Sequence, residues 1–263
     1  MDNKLIARNG NNQAVKSLDE RSLDERCSLM NAAMQRLGLA NRNTGGGLSA
    51  GRSAGRLIVA LDLTGSRAES LRQAQKATAQ MFAAIKAVGA IAVKLAYYRG
   101  SECKAGAWHD DAETITGAML SLSCFTGNTQ IARVLKMALE EKEKLSGVVF
   151  VGDHCEEGCD DLLHLAAELG KRSIPLFIFH EVVGHDSRAL DVRPLFQKMA
   201  KLSGGVYSEF RPDSGAVMRE LLSTVAAFSV AGPAGVKRVA APVTVPARQL
   251  QARLLLGSAG GGK

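Results

Sequence analysis

The sequence predicts an α/β protein in which helices cover both faces of a mostly parallel sheet. The run from Leu57 to Leu61 consists of five apolar residues, which is typical of a strand buried on both faces. Further short apolar runs alternate with segments whose apolar residues recur every three or four positions, as in amphipathic helices. The chain has 263 residues, 46% of them hydrophobic, which is enough for one large core. We therefore expect a doubly wound, Rossmann-like domain.

The predicted elements follow this alternation along the chain. Strands are expected at 57–61, 91–98, 148–151, 174–179 and 206–209, with 102–108 pairing at the edge of the sheet. Helices are expected at 66–87, 110–120, from 129 into 140–147, and at 160–170, 191–202 and 214–229. Strands that are separated by helices return in the same direction, so the sheet should be mostly parallel.

The predicted domain covers 57–230, and the flanking regions differ from it in composition. Residues 1–56 are polar; within them, 17–39 is predicted to form an amphipathic helix, either docked on a surface or solvated and of marginal order. Residues 41–55 are rich in glycine and form a predicted linker. They precede a strand and lack Gly-Lys-Ser/Thr, so they do not form a phosphate loop. Residues 231–263 are predicted to be a flexible basic tail, in which 247–256 folds as a short helix on binding.

The positive charge of the chain lies outside the predicted domain. The net charge is +7, of which residues 1–56 contribute +4 and residues 233–263 contribute +5, so the rest of the chain carries −2. A nearly neutral domain argues against a dedicated nucleic-acid groove, and only the basic tail is left as a candidate for contact with an acidic partner.

Cysteine usage and hydropathy indicate the cellular setting. Five cysteines are an odd number in a chain that is long enough to fold without disulfides, so reduced thiols are expected. No apolar run approaches the 18 or so residues of a membrane span, and the N-terminal residues do not resemble a secretory signal. A cytoplasmic protein without a membrane segment is therefore expected.

Oxygen-bearing side chains stand at several points where ligands bind in α/β folds. Asp62, Thr64 and Ser66 follow the first strand, Thr129 begins a helix, and Asp153 follows the strand at 148–151. Taken singly, each residue is explained by helix capping or by a turn. Because carboxyl ends of parallel strands meet at one edge, together they predict a site with two carboxylates and three hydroxyls.

These motifs resemble the metal-ion-dependent adhesion site of von Willebrand factor type A (VWA) domains. The family pattern is Asp-x-Ser-x-Ser, then a Thr opening a later helix, then an Asp after the fourth strand. The matching stretches here are 62–66, 127–135 and 148–153, and 195–207 matches the helix and Gly-Gly turn before the last strand of the family. The resemblance covers about 57–230. Thr64 replaces the usual first Ser, and Gly152-Asp153-His154 replaces the usual Thr/Ser-Asp-Gly, so a different loop path after Asp153 is expected.

The resemblance implies a module that binds proteins and is not an enzyme. Asp62, Thr64, Ser66, Thr129 and Asp153 would hold Mg²⁺, or Mn²⁺ or Ca²⁺ in its place, directly or through water. Mg²⁺ prefers six oxygen ligands, so a carboxylate of a partner protein could complete an ion that is left short of negative charge. Bacterial intracellular proteins that resemble this one work beside ATPases or in stress-response clusters, including tellurite-resistance types.

Four other readings stay open at this stage. A hydrolase or phosphotransferase could use the same edge, although Thr64 stands where a phosphotransferase would have a second carboxylate. A nucleic-acid binder could act through the basic tail. The cluster His154, Cys155, Cys159 and His164 contains zinc-type ligands, but the Cys-x₃-Cys spacing is not that of common zinc sites. A Cys/His nucleophilic pair could form from residues distant in sequence, for which the candidates are Cys124, Cys155, His109 and His180.

Overall fold

A six-stranded sheet forms the centre of the molecule. The computed structural model describes residues 55–65, 71–74, 76–77, 80–81, 88–182, 187–211 and 214–256. The strands are β1 (Gly55–Asp62), β2 (Ile91–Arg99), β3 (Glu102–His109), β4 (Gly147–Gly152), β5 (Leu176–Glu181) and β6 (Tyr207–Phe210). Their order across the sheet is β3-β2-β1-β4-β5-β6. All neighbours pair in parallel except β2 and β3, which are antiparallel, so the predicted mostly parallel sheet and its edge strand are confirmed.

Helices cover both faces of this sheet. Helical residues within 71–81 follow β1 and belong to the predicted helix at 66–87, of which the remaining residues lie outside the described ones. The other helices are α1 (Ala112–Leu120), α2 (Ile131–Glu140), α3 (Cys159–Lys171), α4 (Ser187–Leu202), α5 (Gly215–Val236) and α6 (Val245–Leu256).

Alternation along the strands divides the core in two. Leu57, Val59 and Leu61 of β1 pack on one side with the 71–81 segment, α1, α5 and α6. Ile58 and Ala60 point to the opposite side and pack with α2, α3 and α4. Because side chains alternate between faces in a strand, an apolar run such as 57–61 supplies both cores at once. The doubly wound α/β prediction is therefore confirmed.

The prediction of a flexible tail at 231–263 is wrong for most of these residues. Helix α5 continues to Val236 through a kink at Ala231 and Gly232, where the φ of Gly232 is +57°. The chain then returns, and α6 buries Ala247, Leu250 and Leu254 against the core on the side of α5. The predicted tail starts at 231, where the chain instead folds back at the kink, so that a Cβ on Gly235 would lie 2.0 Å from the carbonyl oxygen of Ala227. The domain therefore extends beyond 230, to at least 256.

Glu220 of α5 anchors the start of α6. Its carboxylate accepts hydrogen bonds from the backbone N–H groups of Val243 and Thr244, the latter at 2.9 Å, and from the Thr244 hydroxyl at 2.7 Å. Burial by itself would raise the pKa of Glu220, but these donors bring that pKa below its ordinary value. The carboxylate thus satisfies N–H groups that a helix N-terminus leaves without intrahelical partners.

No helix among the described residues is long and apolar enough to cross a membrane. The N-terminal region, with the predicted helix at 17–39 and most of the linker at 41–55, lies outside the described residues.

Replacing Glu220 by Ala is expected to lower the free energy of unfolding by about 1–2 kcal/mol, because three donors lose their acceptor. Urea denaturation followed by circular dichroism measures this change. A carboxyl whose pKa is lowered on folding contributes stability that is present above its ordinary pKa of 4.5 and is lost as the pH falls. The difference between wild type and variant should therefore shrink in acid. Glu143→Ala is the control, since Glu143 forms an exposed pair with Arg56 at 3.3 Å. An equal loss in both variants would contradict the anchoring role.

Candidate metal centre

The first two carboxylates of the predicted site lie at neighbouring strand ends. Strand β1 ends at Asp62 and β4 ends at Gly152, directly before Asp153. The two strands are parallel neighbours, with Leu61 paired to Val151, and such strands lie about 4.8 Å apart. Asp62 follows the alternation of Ile58 and Ala60 and so belongs to the face that α2 covers. The topology therefore brings Asp62 and Asp153 to the same edge.

Asp62 is buried and holds Thr64. Asp62 is only 2% exposed. Its Oδ1 accepts hydrogen bonds from the backbone N–H of Thr64 at 2.8 Å and from the Thr64 hydroxyl at 2.7 Å. Since the hydroxyl donates its hydrogen to the carboxylate, the lone pairs of Thr64 Oγ1 remain available to a cation. The structure thus brings the predicted ligands Asp62 and Thr64 together, whereas Ser66 lies outside the described residues.

Thr129 connects the second and third elements of the site. It is 7% exposed, and its hydroxyl accepts the backbone N–H of Glu156 at 2.9 Å. In return, the backbone N–H of Thr129 donates to the Glu156 carboxylate at 3.3 Å. Thr129 therefore faces the segment that follows Asp153, as the predicted site requires.

The loop that follows β1 also contacts the segment before Thr129. The backbone N–H of Phe125 donates to the Leu63 carbonyl at 2.9 Å. A Cβ placed on Gly65 would lie 3.5 Å from the hydroxyl oxygen of Thr126. We call the three adjacent segments, residues 62–65, 125–129 and 153–157, the rim.

Two glutamates in the rim were missed from the sequence. The Glu157 carboxylate accepts the backbone N–H groups of Ile131 at 2.5 Å and Ala132 at 2.9 Å, in the first turn of α2. Gln130, at the N-cap position, makes no capping bond with its side chain, so Glu157 caps the helix from another segment. Adjacent glutamates after Asp153 were the only available signal. Their contacts direct the 153–157 segment toward the N-terminus of α2.

A buried histidine on the neighbouring strand β5 contacts the backbone of Asp153. His180 lies beside Gly152 in the register of β4 and β5 and is fully buried. Its Nε2 lies 3.1 Å from the Asp153 carbonyl oxygen, and its Nδ1 lies 2.7 Å from the hydroxyl of Tyr207. Burial lowers the pKa of His180 below its ordinary value. His180 was considered from the sequence as part of a nucleophilic pair, but its contacts give it a structural role at the rim.

The hydrogen bonds continue from His180 to the edge of the sheet. Glu209 Oε1 lies 2.8 Å from the Tyr207 hydroxyl oxygen, and Arg193 of α4 pairs with the Glu209 carboxylate at 2.6 Å. Burial is the largest cause that raises the pKa of Tyr207, and the nearby Glu209 carboxylate raises it further. Tyr207 therefore stays a neutral hydroxyl that joins His180 to Glu209.

The donor set suits a hard cation and not zinc. Asp62, Asp153, Thr64 and Thr129 supply carboxylate and hydroxyl oxygens, which are the ligands Mg²⁺ prefers. Within the described part of the chain, no three His, Cys, Asp or Glu side chains are grouped so as to hold a metal ion. The candidate centre combines two carboxylates with hydroxyl oxygens, so it does not contain such a group.

Cys155 is poorly suited to be a nucleophile. Burial raises the pKa of its thiol to about 11, and Sγ donates a weak hydrogen bond to the Glu157 carbonyl at 3.9 Å. A cysteine nucleophile reacts as the thiolate, whereas burial keeps this thiol protonated near neutral pH.

Comparisons with known proteins identify the fold. No protein-family model and no curated protein sequence matches the chain. A solved aerotolerance-related membrane protein from Bacteroides fragilis, with multiple mutations to serines, is 15% identical with a TM-score of 0.50, covering 65% of this chain and 98% of that chain. A point mutant of the PilB minor pilin from Streptococcus sanguinis is 9% identical with a TM-score of 0.51. The match covers 82% of this chain and 65% of that chain. The SpRpn10 VWA domain is 16% identical with a TM-score of 0.47, covering 66% and 95%.

At these identities the comparisons bear on the fold alone. The α/β, Rossmann-like architecture that the sequence and its resemblance to VWA domains predict is confirmed by the strand order and by the first two of these structures.

Tyr207→Phe is expected to lower the free energy of unfolding by about 1–3 kcal/mol, because buried His180 loses a hydrogen-bond partner. Tyr97→Phe is a matched control. Tyr97 is fully buried, and its hydroxyl has no hydrogen-bond partner among the described residues. Chemical denaturation of both variants should show a loss for Tyr207→Phe alone. Similar stabilities would mean that the Tyr207 hydroxyl does not support His180.

Cys155 and Cys159 should differ in their rates of alkylation. Near neutral pH, iodoacetamide should modify exposed Cys159 well before Cys155, since the Cys155 thiol ionises only as the pH approaches about 11. Mass spectrometry of the digested protein over time measures both rates. Rapid modification of Cys155 would restore the nucleophile reading.

Proposed function

We propose that the chain is a VWA-type interaction module that binds a partner protein through a divalent cation at the rim. The observation that carries the proposal is the buried Asp62 carboxylate, which holds the backbone and hydroxyl of Thr64 at the edge where Thr129 meets the segment after Asp153. Mg²⁺ is the expected ion, with Mn²⁺ or Ca²⁺ as substitutes.

Each residue has a defined part in this proposal. Asp62 and Asp153 supply negative charge, and Thr64, Thr129 and the predicted Ser66 supply neutral oxygens. Thr64 gives its hydrogen to Asp62, which leaves the lone pairs of its oxygen for a cation. The Thr129 hydroxyl accepts the N–H of Glu156 and also bonds to the Cys155 thiol, so a cation would share this oxygen with the protein contacts. When bound, the cation would offer an open coordination position to a carboxylate of the partner. His180 keeps the Asp153 carbonyl in place beneath the rim.

The described residues support binding more than covalent chemistry. The Cys155 thiol is protonated, and His180 directs both ring nitrogens toward protein oxygens. Neither Cys155 nor His180 is therefore poised as a nucleophile or general base. The proposed activity is recognition, in which the selectivity comes from the surface around the ion.

The cytoplasmic setting remains part of the proposal. Cys103, Cys124, Cys155 and Cys159 are free thiols, which agrees with a reducing compartment. ATPases and stress-response components are the partner classes that the resemblance to bacterial VWA proteins suggests.

The test is partner capture with Mg²⁺ against EDTA. Asp62→Ala combined with Thr129→Ala should retain the fold by circular dichroism but lose Mg²⁺-dependent capture and the heat of Mg²⁺ binding in calorimetry. Asp62→Asn, which keeps the side-chain shape and removes the charge, serves if the double variant unfolds. Glu143→Ala, before the start of β4 and far from the rim along the strands, should behave as wild type. Equal capture by wild type and rim variants, with and without chelator, would reject the proposal.

A further inference from the structure

An aromatic ring stands exposed beside the candidate metal centre. Phe125 is 66% exposed and is the one aromatic residue among the exposed large hydrophobic residues of the described part of the chain. Single exposed apolar side chains are common on protein surfaces, so exposure alone carries little weight. The position matters, because the Phe125 N–H bonds to Leu63, between Asp62 and Thr64.

The backbone that presents Phe125 is held by buried contacts. The guanidinium of Arg99, a residue that is 4% exposed, donates to the carbonyl of Ser123 at 3.0 Å and to its hydroxyl at 2.8 Å. On the other side of Phe125, Gly127 packs against the turn between β2 and β3. A Cβ on Gly127 would lie 2.4 Å from the Cα of Gly100, so only glycine fits. The ring therefore projects from a fixed backbone, which reduces the entropy lost when a partner binds.

A cationic side chain is held at the turn between β2 and β3 that the Phe125 ring approaches. Arg133 is exposed, and its guanidinium donates to the Ser101 carbonyl at 3.1 Å and to the side-chain oxygen of Gln130. Both acceptors are uncharged, so these bonds position the guanidinium without neutralising it. Ser101 follows Gly100, and a Cβ on Gly100 would lie 3.4 Å from the Phe125 ring. Phe125 thus lies between two neighbours: its backbone bonds to the loop after Asp62, and its ring approaches the Gly100–Ser101 turn that holds Arg133.

We propose that the partner binds as an acidic peptide segment carrying an apolar side chain that packs on Phe125 and a second carboxylate that pairs with Arg133. This inference rests on the proposed function, in which a first carboxylate binds the cation. We call Phe125 and Arg133 the selectivity surface.

The division of roles follows from the chemistry of each contact. A cation accepts any accessible Asp or Glu, so coordination alone selects poorly among proteins. Aromatic and arginine side chains are the residues that most often dominate binding energy at interfaces, and arginine can hold a carboxylate through two parallel hydrogen bonds. The selectivity surface would therefore decide which acidic segment binds.

A nucleic acid fits this surface less well. Glu156, Asp160 and Asp161 are exposed in or directly after the rim and would repel a phosphate backbone. A single exposed ring also offers no platform for successive stacked bases. A nucleic acid carries a negative charge at every phosphate, whereas the proposed peptide carries two carboxylates that are each assigned to a cation, so these acidic side chains oppose the peptide less.

The experiment selects displayed random linear peptides on the folded, full-length protein in Mg²⁺ and elutes them with EDTA. Wild type should enrich peptides with an acidic residue, an apolar residue and a second acidic residue in a recurrent spacing. The best peptide is then synthesised with a fluorophore, and its Kd is measured by fluorescence polarisation. Phe125→Ser and Arg133→Gln should each raise this Kd about tenfold, the scale of one strong interface contact. Leu256→Ser is the matched control, since Leu256 is 71% exposed at the end of α6.

The outcomes separate this inference from the proposed function. EDTA-eluted peptides that share an acidic residue but no apolar one, or an unchanged Kd in Phe125→Ser, would overturn the inference and leave metal-dependent binding standing. No enrichment that depends on Mg²⁺ would overturn both. A single-stranded DNA oligonucleotide could displace the peptide from wild type but not from Arg133→Gln. That result would overturn the inference and indicate that the surface binds nucleic acid. A Kd that rises as much in Leu256→Ser as in Phe125→Ser would also overturn the inference.

Discussion

The rim depends on a carboxylate that is buried at the end of a central strand. Asp62 is 2% exposed, and a buried charge is costly unless hydrogen bonds or an ion compensate it. Thr64 provides two of these hydrogen bonds through its backbone N–H and its hydroxyl. The same contacts turn the chain after β1 and place the hydroxyl oxygen beside the carboxylate. Compensation of one charge thus shapes the loop on which the candidate site is built.

The other rim segments are held by electrostatic contacts between distant parts of the chain. Glu157 accepts N–H groups from the first turn of α2, where the helix dipole favours negative charge. His180 fixes the Asp153 carbonyl and is itself held by Tyr207. The segment after β4 is therefore fastened at both ends, to a helix on one side and to the neighbouring strand on the other. Such fastening keeps donor oxygens in place before any ligand arrives, which lowers the cost of binding.

The C-terminal part of the chain shows how packing can override local signals. The stretch around Gly232 and Pro233 has the composition of a linker, and α6 carries few of the periodic apolar residues that make a helix easy to recognise. Ala247, Leu250 and Leu254 nevertheless share one face, and Glu220 supplies the missing cap from α5. Helix α6 also contacts β6, the four-residue strand at one edge of the sheet.

The sequence by itself determined the α/β class, the main strands and the direction of the sheet, because apolar periodicity is a local property that burial selects directly. It also predicted that Asp62, Thr64, Thr129 and Asp153 stand at one edge, since residues at strand ends and helix starts meet at one edge in any parallel sheet. Only the tertiary structure decided that Glu157 caps α2, that His180 reaches Asp153 and that α6 completes the core. These contacts join residues that are 23 to 27 positions apart, and their partners are chosen by packing geometry, which no local pattern encodes.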